Sequence, residues 1–377
     1  MSQINIRARI GPVIQFLVFS ALLLGLPLLG VALAGRPVSH YLRLPPVTQD
    51  LAHAPFSWPV FVVDSLLAAI FFGWLICLAW PRRRSPCTPS PSERRPFPWW
   101  GWVACGALCL FWWLAWTRQP WFAPLQAHTF TPLWLSYIVL INALAWKRTG
   151  RSLLTHCPGC FLALFPVSAL FWWYFEYLNR FVENWRYIGI DDFGPLRYAL
   201  HATLAFSTVL PAVISTREWL ASWPGLGEGG CRPRSTPRHP KAIAAAILGL
   251  SSAGLLGLGL WPDVLYPLVW VAPLLLIVSL QVIAGQPTLL ERAGPDPWRV
   301  IALSMLAALV CGFLWELWNY HSQAKWVYGI PYVQRFHIFE MPVLGYTGYL
   351  PFGIECAVIA DLVARRWKRR SMGCATC

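Results

Sequence analysis

Long apolar runs, most free of charge, alternate along this chain with short polar, proline-rich or basic stretches. A helix needs about 20 apolar residues to cross the hydrocarbon of a bilayer. Ten runs approach or reach that length: 11–34, 59–80, 100–117, 130–146, 160–179, 196–216, 242–261, 265–285, 300–319 and 342–364. They predict an all-α fold, a polytopic bundle of about ten transmembrane helices. The first run follows Arg7 and Arg9, as a signal core does. It is longer than the about 7–15 residues of such a core, and no small-x-small cleavage site stands apart from it. It is therefore expected to be a retained helix.

Composition agrees with lipid as the solvent. The 377 residues are 57% hydrophobic and only 12% charged, against about 25% charged in soluble domains. The 24 tryptophans suit the aromatic belts at membrane interfaces. A net charge of +14 raises the possibility of nucleic acid. The basic residues, however, sit in short clusters between apolar runs, which fits an anionic membrane surface instead. The clusters are Arg82–Arg84 with Arg94 and Arg95; Lys147, Arg148 and Arg151; Arg217, Arg232, Arg234, Arg238 and Lys241; and Arg365 to Arg370. They occupy alternate loops. The positive-inside rule then places them, and both termini, in the cytoplasm of a cell whose plasma (inner) membrane holds the protein. None of the cysteines falls in a loop assigned outside, and thiols stay reduced in the cytoplasm.

The chain after the second run reads as two similar halves. Phe171-Trp-Trp-Tyr-Phe-Glu176-Tyr-Leu-Asn179 matches Phe313-Leu-Trp-Glu316-Leu-Trp-Asn319. A Trp-x-Tyr follows each, Trp185 to Tyr187 and Trp326 to Tyr328, and then a proline, Pro195 or Pro342. Upstream, Pro132-Leu-Trp matches Pro267-Leu-Val-Trp, and Gly150-Arg-Ser-Leu-Leu matches Gly285-Gln-Pro-Thr-Leu-Leu. Ordered matches at an offset near 135 to 141 residues, widening to 147 at the proline, point to a duplicated four-helix unit. An even number of spans per unit makes the copies parallel, related by an axis along the membrane normal. The expected organisation is two N-terminal helices and a basic loop (1–98), a first repeat (99–223), a linker (224–240), and a second repeat with a basic tail (241–377).

Acidic groups within lipid are costly and mark candidate sites. Glu176 and Glu316 each sit near the outer end of a run, with Asn179 or Asn319 three residues on, on the same helix face. Apolar, aromatic surroundings disfavour a charged carboxyl group, so a neutral, proton-donating glutamic acid is expected, oriented by its asparagine. The same pair would serve equally to tie its helix to a neighbour or to the re-entering loop. Asp64 and Glu355 also fall within runs. Glu355 follows Pro351-Phe-Gly-Ile, where a distortion could open a small cavity. His201 reads as a packed histidine. The long aromatic stretch 320–341 beside Glu316 is expected to lie at the interface or close over the bundle, and 180–195 is its counterpart.

Two C-x-x-C pairs, Cys157/Cys160 and Cys374/Cys377, have zinc-like spacing, but nothing in the sequence brings them together, so no metal site is expected. No phosphate loop or metalloprotease, serine-hydrolase or di-iron motif is present, and no cofactor is expected. The expected partners are membrane lipids and a lipid-soluble substrate. The sequence does not reveal an oligomeric state.

The acidic helix end, Trp-x-Tyr and proline-led span resemble the small integral-membrane lycopene cyclase domains and related carotenoid-synthesis membrane proteins. Glu316, Trp326, Tyr328 and Pro342 carry the resemblance in one half, and Glu176, Trp185, Tyr187 and Pro195 in the other. The P-x-E element of that family is absent: Pro351 and Glu355 stand four apart. The resemblance implies cofactor-free, proton-initiated isomerisation of a polyene, with aromatic faces stabilising the cation. The expected site is Glu316, Glu176, Asn319 and Asn179 as the acid machinery, with Trp326, Tyr328, Trp185, Tyr187 and Glu355 around the substrate. A transporter or channel, or a non-catalytic scaffold, remain the alternatives.

Overall fold

The fold is that of a computed structural model. It describes residues 2–45, 53–79, 95–226, 238–293 and 296–373, with side chains omitted at 2–10, 12 and 367–373. The basic residues Arg82–Arg84 and Arg94, and Cys87, Cys231, Cys374 and Cys377, lie outside the described residues.

The apolar runs form helices because a backbone in lipid must satisfy its own hydrogen bonds. In chain order these are α1 (Ser2–Leu33), the short α2 (Val38–Tyr41), α3 (Trp58–Ala79), α4 (Trp99–Trp116), α5 (Phe130–Thr149), the short α6 (Leu153–His156) and α7 (Pro158–Val182). Strand β1 (Trp185–Ile188) follows, then α8 (Pro195–Phe206), α9 (Val209–Ala221) and α10 (Pro240–Leu258). The short α11 (Pro262–Leu265), α12 (Ala272–Ile283), the short α13 (Leu289–Arg292) and α14 (Pro297–Tyr320) lead to strands β2 (Lys325–Tyr328), β3 (His337–Ile338) and β4 (Met341–Pro342), and to α15 (Tyr349–Gly373).

Among the described residues, eight helices are long and apolar enough to cross a membrane, or up to ten if two sharply bent pairs each count as one span. In one pair a 3-10 helix, Pro120–His128, meets α5 at 72°, and in the other Pro262–Trp270 meets α12 at 54°. The peripheral helices turn large apolar side chains outward: Leu66 and Ile70 on α3, Trp102 and Val103 on α4, Leu250 on α10 are all exposed. A continuous face of that kind suits acyl chains rather than water.

The run 196–216 forms one span, Pro195–Ala221, as expected, with a two-residue interruption between α8 and α9 where Ser207 Oγ and Thr208 Oγ1 donate back to the carbonyls of Leu204 and Ala205, each at 2.7 Å. The stretches 180–195 and 320–341 carry strands that an all-α reading omitted. β1 pairs antiparallel with β2, and β3 with β4.

The elements of 99–221 and 240–373 follow one another in closely similar order: a helix, a bent approach to a second helix, a short helix, a long helix, a strand, and a closing helical segment. Each short helix starts with a capping box, Ser152 with Thr155 and Thr288 with Glu291. One buried cluster runs through both sets, joining Trp134, Phe175, Leu210 and Leu276 to Cys311, Trp315 and Phe352. α14 lies against both α9 and α15. At Gly353 the α14–α15 approach is so close that a Cβ would stand 2.2 Å from the Ser304 carbonyl oxygen.

Candidate functional site

Glu176 lies on the last turns of α7 and Glu316 on the last turns of α14, and both are buried. Each carboxyl group is held by three donors on one oxygen. Glu176 Oε1 accepts from Trp172 Nε1 at 3.0 Å, Trp185 Nε1 at 3.0 Å and the Tyr187 hydroxyl at 2.6 Å. Glu316 Oε1 accepts from the Tyr328 hydroxyl at 2.7 Å, the Tyr349 hydroxyl at 3.1 Å and Trp326 Nε1 at 3.3 Å. The Trp-x-Tyr motif thus delivers two of the three donors in both places. The period of a strand explains the spacing, because residues two apart lie on one face.

The asparagines act on the strands, not on the carboxyl groups. Asn179 Nδ2 donates to the Trp185 carbonyl at 2.7 Å, and Trp185 N donates to Asn179 Oδ1 at 3.3 Å. Asn319 repeats this with Trp326, at 2.7 and 2.9 Å. Each asparagine side chain therefore substitutes for a neighbouring strand and fixes its tryptophan beneath the helix end. The expectation that asparagine orients the glutamate is corrected: the two share a helix face and grip different parts of the same strand.

β1 and β2 then join the two clusters. Trp185 stands opposite Tyr328, and Tyr187 opposite Trp326. The register is symmetric about the Arg186–Val327 pair, so each carboxyl group's tryptophan neighbours the other's tyrosine.

The third donor differs. In the first cluster it is Trp172, one turn before Glu176 on the same helix. The position one turn before Glu316 is Gly312, where a Cβ would stand 2.3 Å from Tyr349 Cε2. The missing side chain makes room for Tyr349, which reaches in from α15 and supplies the bond instead.

All six donors line one cavity of about 100 Å³. Neither carboxyl group lines it; the donors stand between. Phe130, Phe206, Trp270 and Trp315 add to a mainly aromatic wall, which aliphatic side chains such as Ala202, Ala205 and Val209 complete, with residues from both sets of elements. Ile188, more than a third exposed, lies at its rim together with Lys325, which is ion-paired with Glu340. A second, polar cavity of about 200 Å³ lies across β1 and is lined by Glu176, Asn179, Arg180, Arg186 and Asp191. A third, of about 500 Å³, opens at the other end of the bundle between the first turns of α7 and α14, lined by Phe161, Leu164, Arg217, Arg299 and Asp361. Between that cavity and the aromatic chamber, Leu210 and Val213, Ala307 and Cys311, and Phe352 and Cys356 are packed almost free of exposure.

The remaining candidates are placed as follows. Glu355 is buried on α15 at 1% exposure, lines none of these three cavities, and neither of its oxygens has a hydrogen-bond partner among the described residues. The expected distortion does not arise there, since Pro351 sits in the first turn of α15, where its missing N–H costs nothing. Asp64 lies part-exposed on α3 and lines none of these three cavities. His201 is not solitary: its Nδ1 lies 3.0 Å from Nδ1 of His128, and it lines the aromatic chamber. No group of three or more His, Cys, Asp or Glu able to hold a metal occurs among the described residues.

Sequence reasoning missed Tyr349, Trp270 and Trp315 as parts of the chamber. Trp270 carried a signal, as the end of the Pro267-Leu-Val-Trp match. Tyr349 carried none, being one aromatic residue among many. No family model, curated protein or solved structure matches this chain.

Proposed function

We propose that this chain is a cofactor-free membrane enzyme that acts by acid catalysis on an isoprenoid or comparable lipid-soluble substrate. Its two sets of elements are copies of one unit, related by an axis along the membrane normal, with both termini in the cytoplasm and the chamber near the outer face of the inner membrane. The single observation that carries the reading is the aromatic chamber walled by the six donors of two buried carboxyl groups.

Such a chamber excludes water, receives an apolar group, and surrounds a developing cation with aromatic faces. A tyrosine bonded to a carboxyl group is a proton donor held in a fixed direction. The likeness to lycopene cyclase-type proteins supports a polyene as the substrate class. The volume of about 100 Å³ suits the end of a long chain, with the rest outside the chamber.

Transport is a second reading, favoured by the cavity at the opposite end of the bundle. It requires the apolar plug between the cavities to part.

The test compares lipid extracts of cells with and without the gene, then of cells carrying Glu176→Gln, Glu316→Gln or Tyr187→Phe. The enzyme reading expects a precursor to accumulate without the gene and in at least one variant. Identical lipids in every strain, with the protein present in the membrane, would remove it.

A further inference from the structure

The two carboxyl clusters look alike but are not equally placed with respect to water. Glu176 lines the polar cavity across β1, together with Arg180, Arg186 and Asp191. Glu316 lines none of the three cavities described above, has no exposure, and its Oε2 has no hydrogen-bond partner among the described residues. The polar cavity and the aromatic chamber share one wall, made of Trp185, Tyr187, Ile190 and Tyr198. Tyr187 is the member of that wall whose hydroxyl meets Glu176, at 2.6 Å. A carboxyl group open to polar space on one side, joined by a short hydrogen bond to a phenol that faces an apolar chamber on the other, has the arrangement of a proton relay.

We propose that Glu176 and Tyr187 carry protons between the polar cavity and the aromatic chamber, while Glu316 holds its aromatic partners in place without exchanging protons. The proposal rests on the chamber being a site of acid chemistry. The step is balanced as follows. A proton from water in the polar cavity binds the Glu176 carboxylate. The carboxyl O–H then donates to the Tyr187 oxygen, and the Tyr187 O–H turns into the chamber. As Tyr187 gives its proton to a carbon–carbon double bond of the ligand, it takes the proton of Glu176. The ligand becomes a cation, Tyr187 is again a neutral phenol, and Glu176 is a carboxylate. The reverse transfer completes an isomerisation with no net change in protons: the Tyr187 oxygen takes a proton from a neighbouring carbon of the cation as its own O–H proton passes back to the Glu176 carboxylate, where it can exchange with the polar cavity.

Glu176 is on this account a positioning and proton-supplying residue, and Tyr187 the catalytic one. The asymmetry is not visible in the sequence, where the two Glu-x-x-Asn and Trp-x-Tyr motifs match. It arises because α2 and the turn after β1 wall a polar space beside the first cluster: Tyr41 and Arg43 contribute from one side and Asp191 from the other. The second cluster is covered instead by Tyr349 from α15.

Infrared spectra of the purified full-length protein on transfer from H₂O to D₂O test this directly. Glu176→Gln and Glu316→Gln assign the carboxyl bands. The expected result is prompt deuterium exchange at the Glu176 band and none at the Glu316 band over the same period. Should Glu176→Gln fail to fold, Tyr187→Phe assigns the Glu176 band by shifting it through loss of the 2.6 Å bond. Equal exchange at both bands, exchange at Glu316 alone, no exchange, or no protonated band belonging to Glu176 would each overturn the relay. In the lipid assay, Tyr187→Phe is expected to reduce product by about 100-fold, and Glu316→Gln by far less. If the lipids never change, the proposed function fails while the exchange result stands on its own.

Discussion

At Glu176 and Glu316 three aromatic donors converge on a single carboxyl oxygen, an arrangement that is costly to disturb where side chains are buried. Removing one donor from a buried acceptor costs about 1–3 kcal/mol. Tyr328→Phe is therefore expected to lower stability by about 1–3 kcal/mol, read as an earlier thermal unfolding transition in detergent. Gly312 offers a sharper test of how the third donor is supplied. Gly312→Ala forces Tyr349 away from Glu316, because the new Cβ would lie 2.3 Å from the ring. The expected loss is about 1–3 kcal/mol, as for other overpacked cores. Gly106→Ala, with nothing within 4 Å of the added carbon, serves as the neutral comparison. Equal effects from the two alanines would refute the packing argument.

At the scale of elements, the short strands matter more than their length suggests. β1 and β2 have four residues each, and an isolated two-stranded pair is only marginally stable in water. Here each strand is also clamped to a helix end by an asparagine. Asn179→Ala and Asn319→Ala should each release one strand, seen as faster amide exchange at 185–188 and 325–328. Because the strands pair with one another, the two substitutions should couple by about 0.5–3 kcal/mol in a double-mutant cycle. Strict additivity would mean that the strands do not transmit the restraint. The two-residue interruption between α8 and α9, at Ser207 and Thr208, belongs to this scale as well. It leaves Val209, at the start of α9, on the chamber wall.

Across the whole molecule, the two sets of elements share one core and one strand pair. Neither half closes the chamber alone, since Trp172, Trp185 and Tyr187 come from one and Trp326, Tyr328 and Tyr349 from the other. Fragments 1–226 and 238–377 are therefore expected to co-purify when produced together, and each to aggregate when produced alone. Stable, monodisperse fragments produced separately would show that the shared core is dispensable. A cysteine pair at Arg186 and Val327, which face one another in register, should cross-link the co-produced fragments on oxidation.

What the sequence by itself determined was the solvent and the helices, because a span is a local property: an uncharged apolar run needs no distant partner to be recognised. The repeated Glu-x-x-Asn and Trp-x-Tyr were legible for a related reason, as residue types at fixed short spacings. What they do was not. The clamp of asparagine on strand, the pairing of β1 with β2, and the insertion of Tyr349 into the space left by Gly312 join residues far apart in the chain. Only the tertiary structure brought six donors to one chamber and left Glu176, rather than Glu316, lining the polar cavity. Distance between side chains from different helices is decided by packing, and no spacing along the chain records it.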